Sequence, residues 1–446
     1  MKRRIKEEII IFISVVKWLA LSALTGVIVG ISTAAFITSL NWGSRLTSAV
    51  PYYFFLLPAG LAASALIVKY LLPEAQGHGA DWVIASVHSV SGKIKAVIVP
   101  VEFLATFTTL TCGGSAGKEG PSAQIGAGLA SMFSDIIRVG DTDRRKLVIC
   151  GISGGFASVF GTPIAGALFG IEVIAAGSLS YDVLLPAVVT GTISYQTSSW
   201  LGLRYFHHPL NLVPAFSELF FIKIAAAGVF FGLVSFMLVE VMRLGRKINS
   251  SVAFSPSLKS ISAGVILIAL TLLFSTRYLG LGVDALQSAL EGGVVPWYSF
   301  MLKSVFTSIT LNFGGSGGIG TPIFYVGATA GNFFGGLIGD DRAVFAAVGF
   351  VSLLAGAANT PIAASVMAVE LFGAGVAPYA TVACVISFVI AGHRSVYPSQ
   401  VLAVKKSSSI DFSPGETAGR AHPEFRYRED SLIGVLLRIL KKFGKG

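Results

Sequence analysis

The chain has 446 residues, of which 53% are hydrophobic and only 13% charged, with a mean hydropathy of +0.75; ordinary soluble domains carry about twice that charge. This composition excludes a soluble enzyme or carrier and predicts a polytopic membrane protein. The net charge of +10 gathers at the two ends (Lys2 to Lys6, then Lys405, Lys406, Arg438, Lys441, Lys442 and Lys445). With no exposed basic face in view, nucleic acid is excluded as a partner, and both termini are expected in the cytoplasm with an even number of crossings.

The first apolar run, 9–41, follows a basic N-terminus but is too long for a signal peptide and contains Lys17. It is expected to be a retained first helix. Further apolar stretches follow at 52–72, 96–112, 147–176, 183–203, 219–242, 257–275, 297–313, 323–338, 343–358 and 361–392. Several exceed the ~20 residues that cross a bilayer, and others are short and broken by glycine. The expected organisation is a cytoplasmic N-terminus (1–8), a first membrane half (9–204), a polar connection (205–217), a second half (218–404) and a tail (405–446) too short for a pair of regulatory domains. Leu432 to Phe443 reads either as an amphipathic basic helix on the inner leaflet or as a frayed end. Cys112, Cys150 and Cys384, all in apolar segments, give neither a disulfide framework nor metal spacing, and no cofactor is expected. The expected location is a prokaryotic plasma membrane.

The two halves repeat one grammar. Gly113-Gly114-Ser115-Ala116-Gly117-Lys118-Glu119-Gly120-Pro121 is answered by Gly314-Gly315-Ser316-Gly317-Gly318-Ile319-Gly320-Thr321-Pro322. Thr162-Pro163-Ile164-Ala165 with Glu172 is answered by Thr360-Pro361-Ile362-Ala363 with Glu370, nine residues from proline to glutamate each time. Such duplication predicts an all-α polytopic fold of two structural repeats with broken helices, and a site where the repeats meet.

Two nucleotide motifs are imitated and fail. Residues 315–320 match GxGxxG, but Pro322 and an apolar continuation deny the strand and polar helix that a dinucleotide fold needs. Gly113 to Lys118 is one residue short of a phosphate loop, and Glu119 stands where a hydroxyl would hold magnesium. In a membrane, such breaks instead free the N–H groups at half-helix N-termini, where an anion satisfies them. Glu119, inside the first break, is costly at membrane depth unless it has a task. Being an anion, it can occupy the site itself and leave on protonation, which makes it a candidate gate. Glu172 and Glu370 hold matching places, so a shared structural role such as capping is expected of both.

Together these residues resemble the CLC family of chloride channels and proton-coupled anion antiporters, over about residues 10–404. Gly117 to Pro121 is similar to the family's G-[K/R]-E-G-P signature, which implies that Glu119 is the gating glutamate. Gly317 to Pro322 corresponds to its G-x-F-x-P stretch, which implies anion contacts from the amides of Ile319 and Gly320. Tyr397 falls at the family's anion-binding tyrosine, and Gly117, Lys118 and Gly120 are expected beside it. The resemblance implies a homodimer with a separate pore in each subunit, every subunit built of two inverted-topology repeats of tilted and broken helices.

Three departures follow. His78, in Gly77-His78-Gly79-Ala80-Asp81, stands where a serine usually coordinates the anion; it either donates to the anion or turns to Asp81 or a carbonyl. Gly320 replaces the usual phenylalanine. Val173 stands where proton-coupled members generally carry an internal glutamate, and valine can pass no proton. The expected function is therefore transport of an inorganic anion, chloride first, by passive conduction. Proton-coupled exchange of chloride, fluoride or nitrate is the alternative, and an inverted-repeat carrier for another solute a remote one. No enzymatic activity is expected.

Overall fold

The computed structural model describes residues 2–73, 79–210, 217–413, 415–421 and 423–426. Its first half comprises α1 (Lys2–Ser48), α2 (Leu57–Leu71), α3 (Gly79–Ser89), α4 (Ile98–Thr111), α5 (Glu119–Ile136), α6 (Asp141–Phe160), α7 (Pro163–Glu172) and α8 (Tyr181–Trp200). The second comprises α9 (Glu218–Ser251), α10 (Pro256–Leu273), α11 (Val283–Leu290), α12 (Ser299–Asn312), α13 (Gly320–Leu337), α14 (Arg342–Ala358), α15 (Pro361–Phe372) and α16 (Ala377–Ile390). The series correspond one to one: α4 and α5 map onto α12 and α13 with a constant offset of 201 residues at all four ends. The fold is the all-α membrane architecture of two inverted repeats.

Among the described residues, only α1, α2 together with the turn before it (Tyr53–Leu71), α9 and α10 are both long and apolar enough to span a bilayer unaided. The others work in broken pairs. A ten-residue helix such as α7 is about 15 Å long, half the hydrocarbon thickness. The breaks are glycine-made where the backbone demands it: Gly113 (φ 95°) and Gly314 (φ 112°) occupy equivalent positions that a side chain rarely tolerates. Glycine also sets the spacing between helices. A Cβ on Gly126 would lie 2.4 Å from the Gly151 carbonyl oxygen, and one on Gly327 would lie 2.3 Å from that of Gly349. So α5 packs on α6 and α13 on α14 with backbone nearly touching backbone, as lipid-embedded helices do when small residues line their contact. The apolar residues outside this core, such as Ile9, Ile10, Phe12, Leu233 and Val265, are exposed on the helix surfaces that would meet lipid.

Short strands interrupt the helical scheme that the sequence predicts. β1 (Ala175–Ala176), just after α7, pairs in parallel with β2 (Val401–Leu402), and β3 (Ile410–Asp411) pairs with β4 (Glu424–Phe425). The end of the second half thus folds back onto the first, a pairing of residues over 200 positions apart that local pattern cannot announce. Lys406 anchors it, donating to Asn359 Oδ1 and to the carbonyl of Phe388, both at 2.6 Å. The expected amphipathic helix at 432–443 lies outside the described residues.

Candidate anion site at the crossing of the two glycine breaks

The two breaks meet in space. Gly117 N–H donates to Gly318 O at 2.7 Å, and Gly318 N–H donates back to Gly117 O at 2.8 Å. Around this two-residue bridge the halves exchange hydroxyls. Ser115 N–H donates to Thr310 Oγ1 (3.1 Å) and Ser316 N–H to Thr109 Oγ1 (3.0 Å). Ser115 Oγ pairs with Thr307 at 3.1 Å and Ser316 Oγ with Thr106 at 3.2 Å. Each loop is therefore fastened by the helix of the other repeat, which satisfies backbone groups that hydrocarbon would leave unpaired.

The bridge brings the first residue of α5, Glu119, against the first turn of α13. Its carboxylate accepts from Gly320 N–H and, at 2.7 Å, from Thr321 Oγ1, and the residue is 2% exposed. A negative group there is favoured by the free amides and the helix dipole. The surroundings are hollowed out to receive it. A Cβ on Gly117 or Gly318 would come within 2.3 Å of its oxygens, and one on Gly320 would meet its Cγ at 2.7 Å. The departure at position 320 thus has a steric consequence: glycine leaves the room that the carboxylate fills.

Two cavities flank this point. One of about 460 Å³ opens on the tail side and is lined by Gly120, Ile319, Tyr397, Asp81, Arg246 and Lys259, among others. The other, about 330 Å³, is lined by Lys118, Arg277, Asp284 and Tyr53. The expected anion contacts are therefore divided. Ile319, Gly120 and the buried Tyr397 gather at the tail-side cavity, whereas Lys118 faces the opposite one and does not join them. His78 lies outside the described residues. Asp81 accepts from Ser399 N–H (2.7 Å) and Ser399 Oγ (2.8 Å), which fastens the Tyr397 loop to the head of α3.

Val173 follows α7 directly, donates its N–H to Phe169 O at 2.9 Å, and is buried in the apolar core. Its predecessor Glu172 accepts from the N–H groups of Ile362 (3.0 Å) and Ala363 (2.8 Å). Glu370 accepts from those of Ile164 and Ala165, both at 2.9 Å. Each glutamate caps the other repeat's short helix.

Three residues near the crossing escape a reading based on the glycine runs alone. Thr321 is one; the others are Glu102 on α4 and Lys303 on α12, which occupy equivalent positions under the 201-residue offset with opposite charge. Extending the repeat alignment upstream from the glycines finds the pair. Lys303 is fully buried and donates to the carbonyls of Tyr278 (3.2 Å) and Gly280 (2.8 Å). Glu102 is also buried, lines the tail-side cavity, and accepts from Ser316 Oγ at 2.7 Å and Thr106 Oγ1 at 3.3 Å.

Known proteins resemble this chain in sequence and in fold. Residues 59–392 match the family model described as voltage gated chloride channel. A chloride/fluoride channel protein of Pseudomonas syringae pv. tomato is 35% identical over 408 residues, covering 90% of this chain and 89% of the relative. An H(+)/Cl(-) exchange transporter ClcA of Klebsiella pneumoniae is 25% identical over 393 residues, covering 79% and 80%. Among solved structures, a CLC-type fluoride/proton antiporter superposes with a TM-score of 0.82 at 27% identity, covering 86% of this chain and 98% of that one. Matched over most of its length by the family model and by these relatives, the chain belongs to the CLC family of anion channels and transporters.

Proposed function

We propose that this CLC protein carries a small halide, chloride or fluoride, across the membrane in exchange for protons, with Glu119 as both gate and proton carrier. One observation carries the proposal: the Glu119 carboxylate is seated on the donors at the head of α13, while its neighbours in sequence, Lys118 and Gly120, line opposite cavities. A helix N-terminus is an anion site, and here a carboxylate fills it. A transported anion takes that seat only when the carboxylate leaves. A proton removes the charge that holds the carboxylate against the amides, so anion entry and proton uptake are linked at one group. The relatives' names supply the two candidate halides.

Passive conduction is the second reading. Val173, apolar and packed, favours it, as does the name of the Pseudomonas relative. We further propose a homodimer with both termini cytoplasmic, from the resemblance and from the basic residues at both ends. The test of function uses the purified protein in liposomes. A pH gradient is applied at equal chloride, or equal fluoride, on both sides, and anion and proton fluxes are recorded. Uphill anion movement driven by protons supports exchange. Downhill anion flux with no proton movement establishes conduction instead.

A further inference from the structure

A proton carried by Glu119 must come from, or go to, the tail side, and position 173 offers no group to hold it. Glu102 is placed to do so. The residue lines the tail-side cavity although it is only 4% exposed, and its carboxylate is held by the hydroxyls of Ser316 and Thr106. An acidic group at membrane depth is costly to keep without a use.

Two further observations point the same way. Glu102 is joined to Glu119 through a very short stretch of chain. Ser316 touches Glu102, while a Cβ on Gly318 would fall 2.2 Å from Glu119 Oε1, so Gly318 abuts Glu119. Two residues of chain separate Cα atoms by at most about 7 Å. The residues of that stretch beyond Ser316, Gly317 and Gly318, have no side chain to obstruct water. The repeat also supplies an internal control. Lys303, at the equivalent position, is tied to backbone carbonyls and lies over the Tyr325 ring (5.2 Å), and it lines neither cavity. Carrying a charge to the cavity is therefore particular to Glu102, not a requirement that the fold imposes on both halves.

We propose that Glu102 is the tail-side proton acceptor of the exchange cycle, an inference that rests on the coupled reading of function above. A water or hydronium in the tail-side cavity gives a proton to Glu102. That O–H bond breaks as one forms on the Glu102 carboxyl. Water beside Ser316 and the glycines then passes a proton to the Glu119 carboxylate as Glu102 gives up its own, leaving Glu102 anionic and Glu119 neutral. The other ionisable groups on the cavity wall are Asp81 from α3, Arg246 from α9, Lys259 from α10 and Tyr397. Of these, Asp81 is already engaged by Ser399 and Lys259 donates to Asn249 O at 2.6 Å.

The experiment measures protons moved per anion in liposomes for the wild type, Glu102→Gln and Glu102→Asp. The expected result is a ratio at least tenfold lower in Glu102→Gln and partly restored in Glu102→Asp, which retains an acid. Wild-type proton flux with an unchanged ratio in Glu102→Gln overturns the relay and leaves coupled exchange standing. Absence of proton flux in the wild type overturns coupled exchange, and the relay with it. Should Glu102→Gln fail to fold, pH-difference infrared spectra of Glu119→Gln carry the test. A carboxylic acid band that titrates with the pH of the medium is expected there, and its absence overturns the proposal.

Discussion

Glu172 and Glu370 are each bound to the other's repeat: the first caps α15 with two hydrogen bonds and the second caps α7 with two. This reciprocal exchange fixes two short helices that are too brief to be stable alone. It also explains why both glutamates lie nine residues beyond the proline that opens their helix. Charge-assisted hydrogen bonds contribute about 1.5–3 kcal/mol each. Glu172→Ala, at the more buried position, loses two such bonds and should therefore cost about 3–6 kcal/mol. Thermal unfolding in detergent checks this, and a melting temperature equal to the wild type's would refute the capping role.

Neutralising Glu119 should release the seat that it occupies. Glu119→Gln and Glu119→Ala should conduct the anion at all pH values, with the pH dependence of flux abolished and proton coupling lost. The measurement is anion efflux from liposomes between pH 5 and 8. A folded Glu119→Ala protein with wild-type pH dependence would sink the assignment.

Gly320→Ala tests the cradle without touching an acid. The three atoms nearest the added Cβ would all belong to the Glu119 side chain: Cγ at 2.7 Å, Cδ and Oε1 at 3.0 Å. The carboxylate should be displaced from α13, and anion flux at pH 7.5 should rise toward that of Glu119→Gln. Flux at or below the wild-type level would show that the carboxylate adapts to the added methyl.

Tyr397 contributes one hydroxyl to a buried region of the tail-side cavity. Its removal in Tyr397→Phe should weaken halide binding by about 1–3 kcal/mol, which is roughly tenfold to a hundredfold in affinity. Calorimetric titration with chloride and with fluoride gives the number. Equal affinities in variant and wild type would remove Tyr397 from the site.

The sequence by itself determined the membrane class, the two repeats and the two glycine breaks that the structure brings together. Each of these rests on local information: apolar length, glycine breaks, and one carboxylate set among residues that free backbone N–H groups. It also determined that Glu172 and Glu370 share a role, because their spacing from a helix-opening proline is the same. Only the tertiary structure decided what each group touches. It is the crossing of Gly117 with Gly318 that carries Glu119 to the head of α13, over 200 residues away. The same crossing sets Lys118 against one cavity and Gly120 against the other. It also leaves Glu102 facing the tail-side cavity while its counterpart Lys303 is tied to backbone. Contacts between distant segments depend on how the inverted halves interlock, and no periodicity within either half records that. The pseudo-symmetry makes equivalent positions readable as pairs, and packing then gives the two members of a pair different work.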